Sequence, residues 1–138
     1  MKTVLITVGR SRPPFAEAEA HYRRLLSRHQ PVEVVEVRDP AGLAGRVDER
    51  AWLAALDARG SARSSEGWSR WLSERRLEGR PLWIAVGGHE GLGDPLLDRA
   101  DELISLGPQT MAHQLARVVF LEQLFRAAKI LAGEPYHR

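Results

Sequence analysis

The chain has 138 residues, 43% of them hydrophobic, with 20 basic against 18 acidic residues and a net charge of +2. That length can close one core, and a single domain over 1–138 is expected. With no cysteine in the chain, thiol nucleophiles, thiolate zinc sites and disulfide staples are excluded, and a reducing cytoplasm is the expected setting.

Elements alternate along the chain. No apolar run approaches the ~20 residues that a membrane-spanning helix needs, so no membrane partner is expected. Residues 3–8 are β-branched and read as a first strand rather than as a signal peptide. Pro13 and Pro14 open a helix with Phe15, Ala18, Tyr22, Leu25 and Leu26 at helical spacing. Residues 32–37 form a second strand, Asp39-Pro40 starts a short helical stretch, and Ala51–Leu56 reads as a third strand. Ser64-Ser65-Glu66 caps a helix to about Leu77, and Leu82–Val86 has the unbroken apolar character of a strand covered on both faces. Asp94-Pro95 pairs an N-cap with a first-turn proline, Leu103–Leu106 is a fifth strand, and Met111 to about Leu131 is the longest helix. This alternation predicts an α/β fold with a mostly parallel sheet flanked by helices.

The basic residues are unusual in kind: only Lys2 and Lys129 are lysines, and the rest are arginines. Arginine offers phosphate a planar fork and stacks on bases. A general bias toward arginine explains the count as simply, because the acids dilute any basic field. Gly87-Gly88-His89-Glu90-Gly91 follows the fourth strand, where open α/β sheets place ligands. It lacks both the dinucleotide fingerprint and the Gly-Lys-Ser/Thr of a phosphate loop, so a plain strand–turn–helix connection remains open. Glu90 could bond backbone amides within that turn. Leu106–Met111 is a second loop of backbone with few ionisable groups. It suits a neutral heterocycle held by main-chain groups, or is an ordinary lead-in to the helix with Thr110 as its cap.

The last helix is apolar nearly all round, which predicts burial around most of its circumference. Glu122 and Arg126 read as an internal i,i+4 ion pair at a subunit interface. His113 and Arg117 share a face at the helix start and are candidates for substrate or phosphate. His21 and His29 are expected on the surface. The terminal Tyr136-His137-Arg138 combines a stacking ring, a group titrating near neutrality and a guanidinium. Chain ends of this kind are commonly frayed. No metal-ligand spacing and no nucleophile elbow is present.

Taken together, Val86-Gly87-Gly88-x-Glu90-Gly91, Thr110-x-x-His113-Gln114-x-x-Arg117-Val118 and Gly133-Glu134-Pro135-Tyr136-His137-Arg138 resemble the ribosomal RNA large subunit methyltransferase H family of the SPOUT superfamily. Leu5–Arg10 and Leu56-Asp57-x-x-Gly60 with Ser64-Ser65 extend the likeness to most of the chain outside 38–55. The resemblance implies a SPOUT-type sheet with a C-terminal trefoil knot, a homodimer, and S-adenosyl-L-methionine as cofactor. It also implies methylation of N3 of a pseudouridine in 23S rRNA, on the large subunit or the 70S ribosome. Position by position it places the cofactor on Leu56, Gly87, and Leu106, Gly107, Pro108, Gln109, Thr110 and Met111. His137 is then the expected proton acceptor, with Tyr136 and Arg138 orienting and with His113 and Arg117 holding the nucleotide. No metal is implied. The chain departs from the family at His89 and in a shortened 38–55 segment. The rival readings are a non-catalytic ribosome- or RNA-binding protein of the same fold and a nucleotide-binding enzyme that takes phosphate at Gly87–Gly91.

Overall fold

The computed structural model describes residues 1–136. Five strands, β1 (Thr3–Val8), β2 (Val32–Val37), β3 (Trp52–Ala62), β4 (Leu82–Val86) and β5 (Glu102–Ser105), alternate with four helices. These are α1 (Phe15–Leu26), α2 (Ser65–Glu78), α3 (Asp94–Arg99) and α4 (His113–Ala132). All strand pairings are parallel, in the order β2-β1-β4-β3-β5. β4 lies in the middle and is buried along its whole length, as its apolar run predicted.

Strand residues alternate between two cores. On one face Leu5, Ala54, Ile84, Val86 and Ile104 meet α1, α2 and α4. Phe120, Leu121, Leu124 and Phe125 of α4 are buried there, each contributing about 1.5–3 kcal/mol of transfer free energy. On the other face Val4, Ile6, Leu53, Ala55, Trp83 and Ala85 meet α3 and the irregular segment before β3. That segment makes two short 3-10 turns, Pro40–Gly42 and Ala44–Arg46. Its glycines interrupt the helical pattern, yet Leu43, Val47 and Ala51 plug the sheet.

Several element ends differ from the sequence reading. Ser64 caps α2 as expected, accepting from Gly67 N–H at 3.0 Å. Asp94 is not the cap of α3: Gly93, with φ of 84°, holds that position and Asp94 is the first helical residue. Thr110 does not cap α4, which begins two residues later than Met111 with Ala112 at the cap. β5 ends at Ser105, leaving Leu106 in the loop. His29 is half-buried rather than on the surface, its ring edge-on to Phe125 at 5.9 Å. α4 is not covered all round in one chain, since Leu115 is 40% and Leu131 38% exposed.

The largest departure is in β3, which outlasts its expected end because it leaves the sheet and returns. Leu56 and Ser61 both stand opposite Ile104, so residues 57–60 loop out between them. The return is possible because Gly60 has no side chain: a Cβ there would lie 2.5 Å from Ile104 N and from Leu103 C. Gly60→Ala should therefore lower stability by about 1–3 kcal/mol through overpacking. Gly42→Ala, with nothing within 4 Å of the added carbon, should stay within about 0.5 kcal/mol. Urea denaturation of the two variants tests the difference, and equal midpoints would contradict the packing argument.

Candidate functional site

Because every strand runs the same way, the loops after β3, β4 and β5 emerge on one edge of the sheet and enclose a cavity of about 270 Å³. The first wall is Leu56-Asp57-Ala58, where β3 loops out. The second is Val86 to Leu92, and the third is Ile104 to Met111 with His113 and Ala116 of α4. Of the expected cofactor positions, Leu56, Gly87, Leu106, Gly107, Gln109, Thr110 and Met111 line the cavity. Pro108 is exposed and joins its neighbours without lining it.

The glycine turn is closed by its own backbone, Gly91 N–H donating to Gly88 C=O at 3.1 Å, and Glu90 is exposed on it. A Cβ on Gly87 would come within 2.8 Å of Gly91 C, so the chain doubles back where only glycine fits. The third wall is braced by Ser105, whose hydroxyl donates to Gly107 C=O at 2.8 Å and accepts from Gly107 N–H at 3.1 Å. The result is a pocket of main-chain groups and apolar side chains.

Ionisable groups are few in it. Asp57 and His113 are the titratable residues of the lining, which among the described residues contains no lysine or arginine. The Arg59 side chain donates to both Asp57 oxygens at 2.9 and 2.8 Å, and Arg59 N–H adds a bond at 2.8 Å. These bonds hold the Asp57 carboxyl down from its ordinary 3.8 to about 2, the guanidinium contributing most. Asp57 is thus ionised at any physiological pH. Among the described residues the lining offers a triphosphate no cation to pair with, whereas a neutral heterocycle fits. The sequence reading missed this pair, although the Asp57-x-Arg59 spacing at a strand end was its visible sign.

His113 and Arg117 were expected to face substrate together. His113 does line the cavity. Arg117 instead turns inward, 1% exposed. It donates to Glu19 through Nε at 2.6 Å and Nη2 at 3.0 Å, to Glu36 at 2.9 Å, and to Gly9 C=O at 3.3 Å. Its guanidinium is therefore committed to other elements of the fold. The sign of this was Glu19, which shares the apolar face of α1 with Phe15, Tyr22 and Leu26.

The tail is tied down as far as it is described. Tyr136 donates to Glu122 at 2.9 Å, its ring stands edge-on to Phe125 at 4.8 Å, and Arg126 lies 4.8 Å from its centroid. Glu122 and Arg126 pair at 2.9 Å, as their spacing predicted. Burial, then the Glu122 bond, push the Tyr136 phenol up to about 12, so it remains a neutral donor. His137 and Arg138 lie outside the described residues. The Tyr136 hydroxyl meets α4 at Glu122, nine residues past His113, about 13 Å along the helix. Among the described residues no cluster could hold a metal, and no helix is long and apolar enough to cross a membrane.

Comparison with known proteins gives a consistent picture. The family model described as a predicted SPOUT methyltransferase matches residues 1–137. A ribosomal RNA large subunit methyltransferase H from Gemmatimonas aurantiaca is 34% identical over 154 residues, covering all of both chains. Its counterpart from Solidesulfovibrio magneticus is 42% identical over 149 residues, covering 96% of each. Among solved structures, a probable methylase family protein from Haemophilus influenzae superposes with a TM-score of 0.67 at 10% identity, covering 99% of this chain and 70% of that one. The SpoU methyltransferase AviRb from Streptomyces viridochromogenes, solved with AdoMet, gives 0.50 at 14% identity, covering 90% and 56%. These two likenesses concern the fold.

Two outcomes are expected from the geometry. The folded Asp57 value lies below the unfolded one, so the group stabilises the fold above about pH 4, and that contribution fades as pH falls through 3.8 toward 2. Asp57→Asn should be less stable near neutrality and show a flatter loss of Tm between these limits; identical acid limbs would refute the pairing. Arg117→Met strands two carboxylates and should cost about 3–5 kcal/mol in urea denaturation. An unchanged midpoint would mean that the cluster is solvated.

Proposed function

The chain belongs to the SPOUT methyltransferase family, and within it to the ribosomal RNA large subunit methyltransferase H family, and we propose from this that it is an S-adenosyl-L-methionine-dependent rRNA methyltransferase acting on N3 of a pseudouridine in 23S rRNA. The observation that carries the cofactor is the cavity at the carboxyl ends of β3, β4 and β5. Its lining is mostly backbone and apolar side chains, and its one carboxylate, Asp57, is ionised and paired with Arg59. These residues fit a sulfonium-bearing nucleoside: Leu56, Gly87 and Leu106–Met111 would hold it through main-chain groups. Bound there, S-adenosylmethionine supplies an electrophilic methyl group.

The protein must then manage the nitrogen that receives the methyl. An imide N–H keeps its proton near neutrality, so an acceptor and a stabiliser of the developing anion are needed. In this reading His137 takes the proton and Arg138 faces the anion. Tyr136 stays neutral and donates, so it orients rather than acts as base. His113 meets the nucleotide at the cavity rim, and Arg117 serves from behind by holding the helix that carries it.

A homodimer completes the site. The Tyr136 hydroxyl meets the middle of α4, at Glu122, while the cavity touches the helix at its start, and Leu115 and Leu131 leave apolar surface on that helix. A second copy running the other way would cover this surface and bring its tail to the first copy's cavity. The single domain includes the family's trefoil knot, a reading supported by a cavity built from three separate chain segments. The setting is the cytoplasm and the substrate an assembled large subunit or 70S ribosome, because +2 of net charge gives two small subunits little electrostatic grip on free RNA.

Tritiated methyl transfer to 70S ribosomes, large subunits and naked 23S rRNA, followed by mapping, tests this. Labelling of one pseudouridine in assembled particles is expected. Equal labelling of naked RNA would defeat the assembled substrate, and cofactor binding without any labelling would favour a non-catalytic binding protein. Gly87→Leu and His137→Ala should each be inactive alone. Mixed one to one and allowed to exchange, they should recover about a quarter of wild-type turnover, since half the dimers then carry one intact composite site. Full turnover by His137→Ala alone would remove it as the base.

A further inference from the structure

We propose that the loop between β1 and α1, residues 9–14, is a preset phosphate clamp, with Arg10 and Arg12 gripping the RNA backbone beside the cavity and Arg117 and Gln114 fixing its shape. The proposal rests on the rRNA methyltransferase reading above and adds a binding element to it.

Exposed loops commonly leave their backbone groups to water. This one is held by other elements at every turn. Gly9 N–H donates to Val37 C=O at 2.7 Å, and Gly9 C=O accepts from Arg117 at 3.3 Å. Ser11 N–H donates to Glu36 at 2.9 Å, and Arg12 N–H donates to the Gln114 side-chain oxygen at 2.8 Å. Pro13 and Pro14 add two residues of fixed φ. A buried ion cluster and a glutamine from α4, about 100 positions away in sequence, therefore set the path of a surface loop.

The two side chains that this path presents are left over. Arg10 and Arg12 are exposed, and among the described residues neither guanidinium has a carboxylate partner. Arg50, Arg59, Arg63, Arg75, Arg80, Arg99, Arg117 and Arg126 are paired, whereas Arg23, Arg24, Arg28, Arg38, Arg46, Arg70 and Arg76 share the lack of a carboxylate partner among the described residues. What sets Arg10 and Arg12 apart is their place on a braced loop beside the cavity. The carboxylate that braces the loop, Glu36, is already shared by Arg117 and Ser11 N–H. Two guanidiniums with free forks, carried on a backbone that is already held, match phosphate oxygens at less ordering cost than a mobile loop would incur.

The location fits the reaction. A Cβ on Gly88 of the cavity turn would lie 3.2 Å from Val8 Cγ1, so the end of β1 packs directly against that turn. At its other end the loop is bonded to Gln114, the neighbour of His113 in the cavity wall. A strand of RNA held by Arg10 and Arg12 would thus pass the rim on the His113 side.

The test is steady-state methyl transfer from tritiated S-adenosylmethionine to purified 70S ribosomes and large subunits, from 50 to 300 mM KCl, with filter binding in parallel. The double variant Arg10→Ala/Arg12→Ala should raise KM for the particle by about tenfold at 150 mM salt. It should also flatten the slope of log affinity against log salt by about 1 to 2, while kcat, cofactor affinity and Tm hold. Arg10→Lys/Arg12→Lys should restore the slope. Gln114→Ala should raise KM several-fold with the slope kept, as loss of positioning without loss of charge requires. A double variant with wild-type KM and slope, or with raised KM and an unchanged slope, overturns the clamp while a methylating wild type leaves the enzyme reading intact. A wild type that neither methylates nor binds particles overturns both.

Discussion

One buried guanidinium determines how the functional end of this molecule is assembled. Arg117 joins α4 to α1 through Glu19, to β2 through Glu36 and to the end of β1 through Gly9 C=O. Stability alone is a poor account of such a cluster, because desolvating an arginine and a carboxylate costs several kcal/mol per ion before any attraction is counted. An apolar trio of similar volume could fill the same space. It could not, however, hold the carbonyl of Gly9 or leave Glu36 aimed at Ser11 N–H. What the charges add is position: the first turn of α4 has one place to sit, and His113 and Gln114 sit there with it. The cavity wall and the neighbouring loop then share a single reference point.

The parallel sheet supplies the second constraint. With all five strands running one way, their trailing loops collect at one edge, and whatever binds there is met by loop backbone before side chains. The chain reinforces this with residues that withdraw. Gly87 and Gly60 offer no side chain at two close approaches, and Ser105 spends its hydroxyl on Gly107. Asp57 is the exception, and Arg59 keeps it charged while occupying both of its oxygens. The cavity wall thus carries a charge-balanced pair without a free acceptor on Asp57, a setting that suits a neutral heterocycle held by backbone.

Local patterns in the sequence were enough for much of this. The unbroken run Leu82–Val86 made β4 a central strand, and Ser64 made a helix start, because burial on both faces and a capping hydroxyl act over a few residues. The spacing of Glu122 and Arg126 predicted their pairing for the same reason. What escaped depends on distance. No local rule shows that β3 rejoins the sheet at Ser61, since the partner is Ile104. None shows that Arg117 turns inward, since its carboxylates come from α1 and β2, 98 and 81 positions away. Gly93 displaced Asp94 from the cap of α3 because the loop needed positive φ there more than a side-chain bond. The cofactor positions were given by family resemblance, and the geometry adds what resemblance could not, namely the Asp57–Arg59 pair on their wall.

The length of α4 links these features to assembly. A helix rises about 1.5 Å per residue, so His113 at its start and the Tyr136 hydroxyl at Glu122 are about 13 Å apart along the axis. Tyr136 is not free to swing back: Glu122 accepts its hydroxyl and Phe125 and Arg126 hold its ring. Freeing it would forfeit that bond and the ring contacts, while Glu122 would keep Arg126 and Gln123. Burial, then the same bond, keeps the phenol protonated, which restricts Tyr136 to donating. In the dimer proposed above, an anchored Tyr136 would come to the neighbour's site already ordered, which is what preorganisation requires. Anchored Tyr136, inward Arg117 and open apolar positions on α4 would then be three consequences of one rigid helix serving two sites.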